Sequence, residues 1–194
     1  MNSAMLHIPR LLIVAGTGRK TGKTTTACNI INAFSMSNIT AVKISSHFHE
    51  PQEHLKLIFG SDSFIIWEEL DSDSEKDSSR FLAAGATRSF YIQALKQNSV
   101  EAFTKLLDLL SYTSPIVCES PSLARGIIPG VLIVVSGEGV PGSVEKEMQW
   151  IKGRRALHLT TVEAVKGIKL PVVLNEAGFS IYPPISLNHI TTES

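Results

Sequence analysis

Five consecutive apolar residues, Leu11, Leu12, Ile13, Val14 and Ala15, run directly into Gly16-Thr17-Gly18-Arg19-Lys20-Thr21-Gly22-Lys23-Thr24-Thr25. No other feature of the chain restricts its fold as strongly. A continuous apolar run that stops at glycine is the signature of a strand covered on both faces. Residues 23–35 then change period. Ala27, Ile30, Ile31 and Phe34 recur at spacings of three and four, which predicts a helix with one buried face. Strand, tight glycine turn and helix in that order predict a parallel α/β unit.

The rest of the chain continues the alternation. Strands are predicted over 40–44, 64–67, 88–92, 115–118, 131–135 and 170–174, and helices over 79–84, 99–110, 144–151 and 161–165. The helix over 99–110 is the clearest, with Val100, Phe103, Leu106, Leu107 and Leu110 on one side. Gly85 stops the short helix before it. Residues 45–60 are polar and histidine-rich before turning apolar, and they give no clear period. Residues 71–79 are almost all Asp, Ser, Glu and Lys and are expected to be exposed. Residues 120–130, rich in Pro, Gly and Ser, read as a loop. From about residue 176 the period disappears and Pro183 adjoins Pro184, which predicts a tail wrapping the surface. With no internal repeat and no linker, residues 1–194 are expected to form one doubly wound α/β domain. Its sheet is mostly parallel, with helices on both faces.

Composition limits the function classes. At 194 residues and 43% hydrophobic the chain can bury a sizeable core. Lys plus Arg and Asp plus Glu each number 18, so the formal net charge is zero. Such a chain has no long-range field to draw in nucleic acid or an anionic membrane. The apolar run at 11–15 is too short to span a bilayer. It leads into a glycine loop and not a cleavage site, so it reads as a strand and not a signal peptide. Cys28 and Cys118 belong to no C-x-x-C pair and lie in apolar segments. They read as buried free thiols of a reducing, cytoplasmic compartment.

The glycine loop carries the chemistry. A helix N-terminus presents unpaired N–H groups and the positive end of a dipole to an anion. Gly18 and Gly22 are expected to bend the backbone so that successive amides face phosphate oxygens. Lys23 then reaches the β- and γ-phosphates of a nucleoside triphosphate, and Thr24 offers a hydroxyl to Mg²⁺. Gly16, Thr17, Gly18, Lys20, Thr21, Gly22, Lys23, Thr24 and Thr25 are the predicted nucleotide-binding residues. The spacing departs from G-x-x-x-x-G-K-[ST], which wants glycine where Thr17 stands.

Other residues gather at the predicted carboxyl edge of the sheet, where open α/β sheets bind ligands. Glu119 ends a strand there and can hold Mg²⁺ through water or orient an attacking group. Lys43 ends another strand. It can bind a phosphate or a substrate carboxylate, or simply carry its ammonium into water. His47 and His49 share one side of an extended segment. They suit either a metal site that lacks a third ligand by spacing or a polar, substrate-facing loop. Asp77 lies in the acidic, serine-rich stretch and by composition is a solvated loop residue. Asn175 ends the last strand and is either a turn residue or, as in related phosphate-loop proteins, a reader of the purine base.

A G-T-x-x-x-x-G-K-T loop resembles that of the dethiobiotin synthetase group. The chain as a whole is more similar to a sister family, molybdopterin-guanine dinucleotide biosynthesis protein B. Val42-Lys43-Ile44-Ser45-Ser46-His47-Phe48-His49 resembles that family's strand ending in lysine and then histidines. Asp77-Ser78 and Phe81-Leu82-Ala83-Ala84-Gly85-Ala86 resemble its Asp-Ser step, short helix and Ala-Gly-Ala turn. Ile116-Val117-Cys118-Glu119 resembles its apolar strand ending in glutamate. The likeness covers roughly residues 11–135. It departs after Glu119, where Ser120-Pro121 stand in place of the usual glycine.

The resemblance implies a phosphate-loop NTPase fold and GTP (or ATP) binding with slow hydrolysis. It implies an accessory role beside a molybdenum cofactor nucleotidyltransferase, and makes Asp77 a further Mg²⁺-associated residue. It also carries over the superfamily's habit of homodimerisation. Two other readings stand beside it. One is an ATP-dependent enzyme that activates a substrate carboxylate, with Lys43 and Lys20 facing that carboxylate. The other is a nucleotide-binding partner module without turnover.

Overall fold

A computed structural model describes residues 5–18, 20–48, 50, 53–110, 114–137, 156–166 and 170–182 of the chain. Among these residues ten strands and five α-helices follow in chain order. They begin with β1 (Leu6–Gly16), α1 (Lys23–Ala33), β2 (Thr40–Ser45), β3 (Leu55–Gly60), β4 (Phe64–Glu69) and α2 (Asp77–Ala83). Next come β5 (Arg88–Ala94), α3 (Ser99–Leu109), β6 (Ile116–Glu119), α4 (Leu123–Gly126) and β7 (Ile127–Ser136). The last are β8 (Leu157–Thr160), α5 (Thr161–Lys166), β9 (Val172–Asn175) and β10 (Gly178–Ile181).

Eight strands form one sheet in the order β3-β4-β5-β2-β6-β1-β7-β8. From β5 to β8 all neighbours are parallel, while β3, β4 and β5 pair antiparallel. The fold is therefore α/β with a mixed, mostly parallel sheet. The β1 run explains itself in this setting. Ile13 and Ala15 point into a core shared with Phe103, Leu106 and Leu123 of α3 and α4. Leu12 and Val14 point into the opposite core, with Ile30, Ile31, Phe81 and Ala164 of α1, α2 and α5. Every residue from 11 to 15 is fully buried, because both faces of the central strand are covered.

Several expectations are revised. Residues 55–69 form the antiparallel β3–β4 hairpin rather than a single short strand at 64–67. Its outer strand is only half covered, so its apolar residues give no clean alternation. The stretch 120–130 is not simply a loop, because it holds α4 and the start of β7 from Ile127 to Gly130. Pro129 and Gly130 read as turn residues, yet they continue β7 opposite an irregularity in β1 at Pro9 and Arg10. β8 had no clear signal in its four residues. After Asn175 the chain turns at Glu176 and Ala177 and returns as β10, burying Phe179 and Ile181, where the sequence predicts a surface-wrapping tail; the rest of that tail, residues 183–194, lies outside the described residues. The predicted helix over 144–151 lies outside the described residues. The acidic stretch is not wholly exposed either, since Ser78 and Ser79 are buried at the start of α2.

Gly130 explains how β7 passes Pro9. A Cβ placed on it would sit 2.1 Å from the Pro9 carbonyl oxygen and 2.7 Å from that of Phe179. Both obstacles are backbone and cannot rotate away. Gly130→Ala is expected to destabilise the fold by about 2 kcal/mol or more in urea unfolding. Gly60→Ala, whose Cβ would meet only Leu57 Cδ1 at 3.9 Å, should stay within roughly 0.5 kcal/mol of wild type. Equal effects would show that the close approach at Pro9 is not required.

Candidate functional site

The strand order brings three carboxyl ends together. β6 lies between β1 and β2, so Glu119 pairs in register with Val14 on one side and Lys43 on the other. The glycine loop leaves β1 at Gly16, two residues beyond Val14, and lies above this edge. A cleft of about 710 Å³ opens here. It is lined by Gly16, Gly18 and residues 20–25 of the loop and by Lys43, Asp77 and Glu119. Beyond them it also meets Ser45, His47, Arg80, Lys96, Ser122 and Arg125. Six Lys and Arg side chains face it against two carboxylates, so the cleft attracts anions although the chain is neutral.

The loop's shape differs from the simple expectation about its glycines. Gly22 takes the left-handed conformation at φ 93, but Gly18 does not, and Lys20 takes it instead at φ 56. Gly22 caps α1 and has no side chain to bond the amides of the first turn, which also lacks an acidic residue. The first bond into the helix is from the Thr26 N–H to the Gly22 carbonyl at 2.9 Å. The positive end of α1 thus has neither a side-chain cap nor a carboxylate of its own. Lys23 folds back over the loop, donating to the Gly18 carbonyl and, at 3.1 Å, to Thr21 Oγ1. Gly16 is required where that stem passes. A Cβ there would come within 2.8 Å of Lys23 Cγ and Cδ. Thr17 has a different part from its neighbours. Its N–H bonds the Val135 carbonyl at 3.2 Å, and it does not line the cleft, so it ties the loop to β7.

Below the loop, four side chains form one cluster. Thr24 Oγ1 lies 2.8 Å from Glu119 Oε2 and 3.0 Å from Asp77 Oδ1. Lys43 Nζ lies 2.6 Å from Glu119 Oε1 and 2.6 Å from Asp77 Oδ2. Each carboxylate therefore places one oxygen on the ammonium and the other beside the hydroxyl, whose single proton serves the two between them. Burial works against the charge on Lys43, but Glu119 and then Asp77 outweigh it and hold its pKa above the usual lysine range. Burial likewise opposes the charge on Asp77. There the Lys43 charge and the hydrogen bonds from Lys43 and Thr24 win, holding the carboxyl below its usual range. The donor set is all oxygen, with a cationic group already seated among it. That chemistry fits a hard cation such as Mg²⁺ held by a hydroxyl and carboxylates, directly or through water.

Asp77 is the residue the sequence described least well. It opens α2, and a second, unforeseen acid puts it there. Glu69 ends β4 with 3% of its surface exposed. It accepts the Ser78 hydroxyl at 2.7 Å on Oε2, and the N–H groups of Leu70 and Asp71 at 3.1 Å each on Oε1. These bonds pull the start of α2 onto the end of β4 and set Asp77 against Thr24. The signal that picked out Glu119, an acid ending an apolar strand, was equally present at Glu69. Lys96 follows the end of β5, where the same edge rule could have found it. Arg125 was hidden in the stretch read as a loop.

The remaining predicted residues divide. Lys20, Thr21, Thr25 and His47 line the cleft. His47 is exposed, with its backbone N–H on Ser45 Oγ at 3.2 Å, while His49 lies outside the described residues. No group of three or more His, Cys, Asp or Glu side chains able to hold a metal occurs among the described residues. Asn175 is not brought to the site. It is exposed, and its Oδ1 accepts the Ala177 N–H at 2.9 Å, so it shapes the β9–β10 turn. The next residue, Glu176, bonds Arg10 through its carbonyl at 3.0 Å. Arg10 is six residues before Gly16 on β1, roughly 20 Å away by strand rise. Strand β9 pairs with β10 in a separate two-stranded sheet, which is why its end does not join the cleft. Cys28 and Cys118 are free thiols, Cys118 fully buried and Cys28 half-buried, and burial pushes both thiols up. Among the described residues no helix is long and apolar enough to cross a membrane.

Comparisons with family models, curated proteins and solved structures find no match to the chain.

Asp77 titrates lower folded than unfolded, so its charge stabilises the fold above the ordinary value of 3.8. That contribution is lost as pH falls through the lower folded value. Wild type should therefore lose more stability than Asp77→Asn between about pH 7 and about pH 3 in urea unfolding. Equal losses would show that the Lys43–Asp77 contact does not hold the carboxylate.

Proposed function

We propose that the cleft binds a nucleoside triphosphate with Mg²⁺ and hydrolyses it slowly. The observation that carries this reading is the convergence of Lys23, the uncapped start of α1 and the Thr24–Asp77–Glu119 oxygens on one cleft. A triphosphate needs these three things together: a point charge for its terminal phosphates, backbone amides for their oxygens, and oxygen ligands for its cation. Lys23 neutralises the β- and γ-phosphate oxygens, exchanging its contacts with Gly18 and Thr21 for them. Thr24, with Asp77 and Glu119, would hold the Mg²⁺, and Glu119 would help to orient the attacking water. The metal, when bound, neutralises charge that develops between the β- and γ-phosphates.

The resemblance to molybdopterin-guanine dinucleotide biosynthesis protein B supports GTP over ATP. It also supports an accessory role beside a molybdenum cofactor nucleotidyltransferase. A second reading, ATP-dependent activation of a carboxylate, draws on Arg80, Lys96 and Arg125. These line the cleft beyond the loop's own lysines and suit a second anion. It predicts ADP release stimulated by an added carboxylic acid.

Calorimetric titration of GTP and ATP, with and without Mg²⁺, tests the site. Lys23→Ala is expected to bind the preferred nucleotide roughly 10- to 100-fold more weakly than wild type, through loss of a charge-assisted contact. GTP preference supports the molybdenum cofactor reading, and ATP preference the carboxylate-activating one. Failure of folded wild type to bind either nucleotide overturns the proposal.

A further inference from the structure

We infer that Lys43 is a built-in counter-ion whose ammonium and a divalent cation are alternative occupants of the Asp77–Glu119 pair, so that metal loading waits for the nucleotide. The inference rests on the reading of the cleft as a Mg²⁺–triphosphate site.

All four carboxylate oxygens of the pair are engaged. Lys43 Nζ takes Oδ2 of Asp77 and Oε1 of Glu119 at 2.6 Å each. Thr24 Oγ1, with one proton to give, lies 3.0 and 2.8 Å from the other two. A metal held by Thr24 and these carboxylates needs the same oxygens that hold the ammonium. If both cations stayed, they would repel each other across a few ångströms in a place where Glu119 is 1% exposed and water screens poorly. With the ammonium in place, two carboxylates and one cation leave a single negative charge, too little to draw a strongly hydrated Mg²⁺ from water. A triphosphate changes the balance, because it brings several negative charges of its own and draws in both cations.

Lys43 has somewhere to go. Its side chain lines the 710 Å³ cleft and also a neighbouring cavity of about 230 Å³, beside Leu55, Lys76 and Tyr91. Rotation of a four-carbon stem moves the ammonium off the carboxylates without moving β2. The destination that keeps its charge satisfied is the terminal phosphate. Lys43 then becomes a second phosphate ligand beside Lys23, placed only after the metal has taken its former partners. The nucleotide-free protein is stabilised by the ammonium, and the loaded protein by metal and phosphate.

The test is Mn²⁺ titration of the nucleotide-free protein, followed by the metal's electron paramagnetic resonance signal. Mn²⁺ takes the same hard oxygen ligands as Mg²⁺. Wild type is expected to bind Mn²⁺ weakly. Lys43→Met, which frees both carboxylates, should bind it roughly 10-fold or more tightly than wild type. The double variant Lys43→Met/Glu119→Gln should lose that gain. Thermal unfolding gives a second readout: Mn²⁺ should raise the midpoint of Lys43→Met more than that of wild type. Should Lys43→Met fail to fold, Lys43→Gln keeps a donor between the carboxylates without the charge and should show the same gain. Equal Mn²⁺ affinity in wild type and the folded neutral variant overturns the inference. Because no nucleotide is present, that result leaves the Lys23→Ala titration standing. Conversely, absent nucleotide binding would overturn the functional reading and with it the dependence of metal loading on nucleotide, while the competition between the Lys43 ammonium and a divalent cation is decided by the Mn²⁺ titration alone.

Discussion

The site depends on the burial of one carboxylate. Glu119 is held among Lys43, Thr24 and the β-sheet with 1% of its surface exposed. A charge in that position is costly unless it is paired and hydrogen-bonded. Its partners come from two separate stretches, Lys43 from β2 and Thr24 from the start of α1, and both of them in turn meet Asp77 from α2. The requirement that Glu119 be paired therefore fixes where three elements end relative to one another. The glycine loop rests on this arrangement, because Thr24 is both the second residue of α1 and a member of the cluster.

The cluster is supported by strand order. β6 inserts between β1 and β2, and so the residue that ends it lies between the loop and Lys43. Further out, the antiparallel β3–β4 hairpin does similar work. Its last residue, Glu69, holds the start of α2 through Ser78 and two backbone amides. The order is hierarchical: sheet topology places Glu119 and Lys43, Glu69 places Asp77, and together they place the oxygens around Thr24. The cleft above inherits an excess of positive charge that the whole chain, with equal numbers of acids and bases, does not announce.

Much of this was legible in the residues. Leu11 to Ala15 followed by the glycine loop pointed to a buried parallel strand and the helix after it, since a five-residue apolar run stopped by glycines is too short for a buried helix and suits a strand covered on both faces. Glu119 was recognisable as a strand-end residue, and Lys43, read as one too, lies near that edge although β2 runs two residues further to Ser45. Asp77 was not, because a composition of Asp and Ser describes a solvated loop equally well, and only its contacts with Lys43 and Thr24, with Glu69 holding the neighbouring Ser78, turn it inward. Asn175 misled for the opposite reason. It ends a strand as Glu119 does, but that strand pairs with β10 and sits at the other end of β1. Pro129 and Gly130 carry turn chemistry, yet they extend a strand because the neighbouring backbone at Pro9 comes close enough to demand a residue without a Cβ.

The sequence by itself determined the local chemistry: the strand, the bend at Gly22, the helix, and a lysine and a threonine at the helix start. These follow from periodicity and backbone conformation within a dozen residues, where the chain has few alternatives. Only the tertiary structure decided which acids meet that threonine, that Lys43 sits between two of them, and that Asn175 stays away. Those outcomes depend on strand order and on the electrostatic cost of burying a charge. Neither has a local signature, because the side-chain partners of Glu119, Lys43 and Thr24, lie 76 and 95 residues away along the chain and meet it only when the sheet has formed.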